Sequence, residues 1–388
     1  MQRNNITFRP QLQGVKDIKV ELIDNVFHVY ATRIDKRASH CNHKMQIKDY
    51  RTVTILLSSY QNKKVILHLK KQRYKCPHCR KTITSQIEAV DKNNNISKEV
   101  KDIILEKLSE TKSYKQIAKE EKVSVNTVIR VLEKVVIKRQ TSPDTSVIYI
   151  DEFKGNIGKE KYQLAMYDKN HKLVDILRNR HSQTIKNIIN EFEIQPQVVV
   201  MDMFKPFRSV INSNIVQAQI VADKYHVIRQ GIWALRDLRV ELFNKDNEKY
   251  KKLKKYWKIL SKSPISQFSQ RQKEILKEIL KVDKTLKKMY RIIKEFYKMF
   301  ESKTVKTMRR RIEQLIEKLR VLNIKQSIKL ADTITSWKKE IINIVEYKIN
   351  NGFVEGNNNK IKVIKRVSYG LRNYERFRKL IYLRLCNR

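Results

Sequence analysis

Three short runs constrain the fold of this chain most: "VIYID" ending at Asp151, "VVVMD" ending at Asp202 and "IVAD" ending at Asp223. Each is almost wholly apolar and stops at an aspartate. A strand without polar alternation has both faces covered, which is the habit of a parallel or mixed sheet with helices packed on it. "KYQLAMYDKN" and "KLVDILRNR" meet at the turn residues "KNH" and read as antiparallel strands. "SQTIKNIINEF" reads as a helix with Ser182 as its N-cap. "FKPFRSVINSN" reads as a second helix, and "QAQIVADKYH" as a strand running into the helix "HVIRQGIWALRDLRVELF". The resulting order, β-β-β-α-β-α-β-α, implies a mixed sheet with helices on its faces.

Upstream, residues 1–92 alternate short β-like runs with basic turns, as in "VFHVYATRI", "RTVTILLSS" and "KKVILHLKKQRYKC". A small finger-type β unit fits them. "RYKCPHCRK" sets Cys76 and Cys79 at metal-ligand spacing, the knuckle of a zinc finger, but one knuckle is half a site. Cys386 stands alone near the end and reads as a bystander. Residues 93–140 turn helical. There "SYKQIAKEEKVSVNTVIRVLEKV" reads as a helix-turn-helix, with Ile117 and Ala118 inward on the first helix and Val128, Val131 and Leu132 inward on the second. Ser124 or Asn126 caps the second helix, and Asn126, Thr127 and Arg130 are placed to reach base edges. An ordinary helical hairpin is the plainer alternative. "KRQTSPDTS", at 138–146, has the composition of a linker.

The sheet segment, 146–243, is followed at 244–345 by about a hundred residues without a strand pattern. In "RRRIEQLIEKLRVLNI", Ile312, Leu315, Ile316, Leu319 and Leu322 recur at helical spacing, and the whole stretch reads as an all-helical insertion. Charge then narrows the partner. The 388 residues carry 84 Lys and Arg against 40 Asp and Glu, a net +44, which calls for an anionic partner or counterions. Double-stranded DNA matches best, with about one negative charge per ~1.7 Å of helix axis. A membrane is excluded as partner, because no apolar run approaches the ~20 residues of a spanning helix. The first residues lack the apolar core of a signal peptide, so a cytoplasmic, nucleoid-associated protein is expected.

Asp151 and Asp202 end the first and fourth strands, and ligands of open α/β sheets sit outside such carboxyl ends. Glu355, in "NNGFVEGNNNKIKVIKR", lies in the last segment, 346–388, on a helix expected to dock beside the sheet after the insertion. Three converging carboxylates repel one another unless a cation neutralises them. Mg²⁺ or Mn²⁺ suits hard oxygen ligands and leaves room for substrate phosphates. Against this, an Asp at a strand end often only shapes a turn or caps a helix, and a Glu at a helix start is often solvated there.

The blocks "YIDEF", "VVVMDMFKPFRSVI", "QIVADKYHVIRQ" and "GFVEGNNNKIKVIKRVSYGLRNYERFR" resemble those of bacterial insertion-sequence transposases of the DDE class, in the ISL-three family (transposase family twelve). The likeness runs over nearly the whole chain. It implies an RNase H-like core with Asp151, Asp202 and Glu355 as the metal-binding triad, interrupted by a helical insertion. It also implies Asp223 and His226 in support of the site or in contact with DNA, and Lys360, Lys362, Lys365 and Arg366 along the DNA backbone. In such a family a second CxxC lies upstream of the knuckle. Here Ala38 stands where its first cysteine would fall, Cys41 keeps the second place, and His40 or His43 would complete a zinc site with Cys41, Cys76 and Cys79; a metal-free finger is the alternative.

The expected function is thus metal-dependent DNA cleavage and strand transfer at the terminal repeats of an insertion sequence, by a homo-oligomer paired on the DNA ends. Two other functions fit parts of the pattern: a non-catalytic DNA-binding regulator, and an RNase H-like nuclease that cuts without joining.

Overall fold

The computed structural model describes residues 14–33, 39–140, 142–215, 217–261, 268–349 and 351–386. They fall into two compact units. One comprises the described residues up to Lys138 together with those from Ile361 onward; the other runs from Arg139 to Lys360.

The first unit opens with strands β1 (Val15–Ile23) and β2 (Val26–Arg33), the two-residue strands β3 (Ser39–His40) and β4 (His43–Lys44), then β5 (Gln46–Tyr60), β6 (Lys63–Lys75) and β7 (Thr82–Thr84). The main sheet has the order β1-β2-β6-β5, with β7 also pairing β6. Its hairpins at Asp24-Asn25 and Gln61-Asn62, and the separate β3–β4 hairpin at Cys41-Asn42, each turn on two residues with positive φ. Such turns match the twist of the flanking strands, and Asn at the second position tolerates the left-handed conformation. Phe27, Val29, Val65, Leu67, Leu69, Ile55 and Leu57 supply the core at strand spacing. The N-terminal unit is therefore a sheet of long strands, larger than a lone finger.

Helices α1 (Lys98–Ser109), α2 (Tyr114–Glu120) and α3 (Val125–Glu133) follow, each opened by a serine cap: Ser97, Ser113 and Ser124. Ser124, rather than Asn126, accepts the Thr127 amide at 3.2 Å. Ile117, Ala118, Val128 and Leu132 are buried, while Val131 is only half-buried.

The second unit contains β8 (Val147–Phe153), β9 (Gln163–Tyr167), β10 (Leu173–Leu177), α4 (Ser182–Glu191), β11 (Val198–Met201), α5 (Lys205–Asn214), β12 (Gln219–Ala222) and α6 (Lys224–Lys245). Its sheet has the order β10-β9-β8-β11-β12. The pairs β8–β11 and β11–β12 are parallel, and β8–β9 and β9–β10 are antiparallel. Every residue of β9, β10 and β11 is buried, which explains their lack of polar alternation. His181, not Ser182, occupies the N-cap of α4 and makes no side-chain capping bond; Ser182 already has helical geometry.

From α6 onward the described residues of this unit contain helices and no strand: α7 (Lys251–Ser261), α8 (Gln270–Val282), α9 (Lys284–Lys298), α10 (Val305–Leu322), α11 (Lys325–Ser336), α12 (Lys338–Tyr347) and the first part of α13 (Gly352–Val367), whose residues from Ile361 fall in the first unit. Helix α6 continues past residue 243, where the sheet segment was expected to end, because Leu235, Leu238 and Leu242 carry its buried stripe into the helical part. At Gly231 an added Cβ would lie 2.7 Å from the Phe296 ring, so the glycine sets the close approach of α6 to α9. Helix α12 covers the sheet edge at β12, where Asn343 Nδ2 donates to the Ile220 carbonyl at 2.7 Å.

The last helix, α14 (Tyr374–Leu385), belongs to the first unit instead of finishing the sheet unit. Arg384 explains this: its buried guanidinium donates to the carbonyls of Leu108 and Lys112 at 2.9 and 2.8 Å, while Arg376 pairs with Glu133. Among the described residues no helix is long and apolar enough to cross a membrane.

Candidate active site

The register of the parallel strands decides where the aspartates fall. Ile150 pairs with Met201, and Met201 with Ala222. The next residue along each strand is Asp151, Asp202 and Asp223 respectively, so three carboxyl groups stand in a row. Asp202 and Asp223 lie just past β11 and β12. Strand β8, expected to end at Asp151, runs on to Phe153 because Glu152 and Phe153 still pair with β9. All three are buried. Asp223 is committed to the backbone: it caps α6, its Oδ1 accepting the amide of Tyr225 at 2.6 Å, and its Oδ2 accepts Asn351 Nδ2. Helix α6 thereby carries His226 to Asp202, with Nδ1 3.1 Å from Oδ2.

Ligand atoms of Asp151, Asp202 and His226 lie within 4.8 Å of one another. Asp202 Oδ1 is buried without a hydrogen-bond partner. Burial, and then the charge of Asp223, pushes Asp151 up to about 7. Burial, and then Asp151, pushes Asp202 up to about 9. Burial lowers His226, favouring the neutral ring. Two desolvated carboxyls, one with an orphaned oxygen, and a neutral imidazole are a donor set that fits a divalent cation, which would stabilise the charged forms.

Glu355 departs from the expected triad. It is exposed on the first turn of α13 and stands outside the cluster of converging atoms. What α13 inserts is Asn358, buried, whose Nδ2 donates to Asp151 Oδ2 while its Oδ1 has no partner. Asparagine is a poor helix former, and this bond accounts for one of three in a row at 357–359. Phe353 anchors the same turn, stacked on His171 at 3.8 Å between centroids and edge-on to Tyr149 at 4.8 Å. A Cβ on Gly356 would meet nothing within 4 Å, so packing does not require that glycine; it leaves the surface beside Glu355 bare.

A second cluster lies in the first unit. The β3–β4 turn and the Cys76–Cys79 knuckle bring His40, Cys41, Cys76 and Cys79 together, their ligand atoms within 4.8 Å of one another. His40 Nδ1 is 3.1 Å from the Cys41 sulfur and 3.3 Å from that of Cys79. His43, the other candidate, is turned away: its Nδ1 bonds the Cys41 carbonyl at 2.6 Å and its ring stacks on His78. Backbone N–H groups, of Cys79 toward Cys76 and of Lys81 toward Cys79, hold those two thiols below their usual range. Cys41 is pushed up to about 11, chiefly by its hydrogen bond with Cys79. Thiolates favoured by amides, beside an imidazole, fit a Cys3His zinc site. Ala38 lies outside the described residues.

The comparisons bear on both clusters. A family profile of the ISL-three DDE type, described as "Transposase", matches residues 148–381, more than half the chain. The chain belongs to the ISL-three family of transposases. A second profile, "zinc-finger of transposase IS204/IS1001/IS1096/IS1165", matches residues 39–79. A comparison with curated proteins gives no match. Among solved structures this transposase is similar to a "Drosophila P element transposase strand transfer complex", at 12% identity and a TM-score of 0.39 over 73% of this chain and 90% of that one. As a transposase it is an enzyme that cleaves and transesterifies DNA.

The residues expected to touch DNA stand as follows. Asn126 and Arg130 are exposed on α3, while Thr127 is half-buried and bonds Ser124 at 3.0 Å. Lys360, Lys362 and Arg366 are exposed along α13, and Lys365 is half-buried. Sequence reasoning passed over Asn358. Its signal was available: an apolar stripe at Val354, Ile361 and Ile364 puts position 358 on the buried face, where an amide needs a partner. His40→Ala is expected to weaken zinc binding in the purified transposase by more than the roughly 10- to 100-fold typical of an outer-shell partner, and His43→Ala to leave it near wild type; competition with a chromogenic chelator measures both.

Proposed function

We propose that this transposase holds its catalytic cation, Mg²⁺ or Mn²⁺, with Asp151, Asp202 and Glu355 on an RNase H-like core, and cuts and joins at its element's terminal repeats. One observation carries the reading: two buried carboxyls on adjacent parallel strands, one with an unpartnered oxygen, converge within 4.8 Å of each other and of His226. The bound cation would activate the attacking water or 3′-hydroxyl and neutralise the departing oxygen of the phosphodiester. Asp202 presents Oδ1, while His226 fixes the orientation of Oδ2. Asn358 orients Asp151. Glu355 stands one turn before Asn358, near enough for its charge to act on His226, and in this reading it joins the ligand set when DNA and cation are present.

The other parts divide the DNA between them. A zinc-finger-like unit, 1–92, and a helix-turn-helix, 93–140, read the terminal repeat, with Asn126, Thr127 and Arg130 on the recognition helix. The core is formed by 146–243 and by the part of 346–388 that carries Glu355, interrupted by the helical insertion 244–345, while the end of that last segment lies in the first unit. Lys360, Lys362, Lys365 and Arg366 would follow the phosphate backbone, and two ends would be paired by a homo-oligomer.

The test uses DNA from the element's ends, the purified protein and Mg²⁺ or Mn²⁺, with products mapped on a sequencing gel. Wild type is expected to cut one strand at the boundary. Glu355→Gln is expected to lose on the order of a hundredfold in rate or more, with its thermal stability unchanged because the side chain is exposed. Equal cleavage by both proteins would remove Glu355 from the site.

A further inference from the structure

Helix α6 leaves the active site with an unusual outer face. Three of the molecule's exposed large apolar side chains, Tyr225, Trp233 and Val240, lie on it, with Tyr225 at 52% and Trp233 at 37% exposure. Tyr225, Arg229 and Trp233 are spaced four residues apart and so form one row. The Arg229 guanidinium lies between the two rings, 5.7 Å from the Tyr225 centroid and 4.7 Å from that of Trp233. The row starts next to the chemistry: the Tyr225 amide donates to the capping Asp223, and the next residue is His226, which is bonded to Asp202.

Trp233 is partly covered by this chain and Tyr225 lies edge-on to His226, but each leaves part of its surface open to solvent beside the cation. The rings suit planar, neutral groups that stack, and the guanidinium suits an anion beside them. Nucleobases stack on Tyr and Trp while Arg balances the adjoining phosphate, and this mode tolerates any sequence. Within a duplex the base faces are covered by their neighbours. Only unpaired nucleotides can use such a row.

We propose that Tyr225, Arg229 and Trp233 form a stacking platform for unpaired nucleotides beside the scissile phosphate, so that this transposase holds its DNA end locally opened. The proposal rests on the carboxylate cluster being the site of cleavage, since that is what fixes where the row begins. The +44 charge of the chain favours this occupant over an apolar protein partner.

The test is a binding experiment in Ca²⁺ with the full-length protein and two end substrates of one sequence. One is blunt; in the other the last three nucleotides are unpaired and include 2-aminopurine. Wild type is expected to bind the opened end about tenfold more tightly, the range of one base–aromatic stack, and to quench the 2-aminopurine. Trp233→Ala and Tyr225→Ala should each lose most of that preference while keeping blunt-end affinity, and Trp233→Phe should keep it. Equal affinity of wild type for both ends would overturn the proposal. So would a change of oligomeric state in Trp233→Ala, by light scattering, with the end preference intact, because the row would then cover a second copy. Asp202→Asn separates the two readings. If it binds the opened end normally and does not cut, both stand; if it cuts normally, the carboxylate assignment fails and only the platform's place beside the chemistry is lost.

Discussion

Asp202→Asn is expected to lower metal-dependent cleavage of the element's ends by at least about a thousandfold while leaving duplex binding unchanged. The magnitude follows from the role of a cation in phosphoryl transfer, worth several kcal/mol of transition-state charge, at about 1.4 kcal/mol per tenfold in rate. Asn has nearly the shape of Asp but no charge, and it offers one oxygen where Asp202 offers the free Oδ1 and the Oδ2 held by His226. DNA affinity should survive because Asp202 is 5% exposed and contributes no surface to a duplex. Binding is measured by fluorescence anisotropy and cleavage on the same DNA, so that a misfolded variant, which loses both, is told apart from a catalytic one. Cleavage within tenfold of wild type would exclude Asp202 as a ligand.

The sheet and two of its acids were legible because they obey a local rule. Buried parallel strands have no alternation, and a polar residue ending such a run marks the strand's exit. "VIYID", "VVVMD" and "IVAD" showed the first; the second held at Asp202 and Asp223, while β8 runs on to Phe153, and the register places the three aspartates side by side. Asp223 shows the limit of the rule: the same pattern there produces a helix cap. The neighbours that orient the acids were harder to see. His226 and Asn358 reach Asp202 and Asp151 through a helix start and a helix face, which depend on docking angles that no local pattern encodes. The choice between His40 and His43 turned on one hairpin. Cys41 and Asn42 take left-handed conformations, and the cross-strand pairing of His40 with His43 leaves only His40 against the sulfurs. The place of α14 was hidden too, because it depends on Arg384 finding carbonyls 272 and 276 residues away.

Without a divalent cation, the protein should lose stability as pH rises from about 4 to about 9, and Mn²⁺ should restore it. The sign follows from proton linkage. Asp151 and Asp202 have folded-state values of about 7 and about 9, against about 3.9 for an unfolded aspartate. Below pH ~4 both states hold the protons, and the groups favour neither. Through the window above it the unfolded chain releases protons that the folded chain retains, so each step in pH favours unfolding. His226 acts oppositely at the low end, because its lowered value makes the folded state the poorer proton binder below about pH 6.5. The basic chain also repels itself less as pH rises. The decisive quantity is therefore a difference. Asp202→Asn keeps the histidine and the background charge but removes the larger carboxyl shift, so its melting temperature should fall less than wild type's between pH 5 and pH 8. Mn²⁺ binds the deprotonated carboxylates, and its stabilisation of wild type should grow with pH and be largely absent in the variant. Parallel melting curves for the two proteins, each with chelator and with Mn²⁺, measure all of this. Curves that shift identically with pH would show that Asp202 is not held protonated in the folded protein.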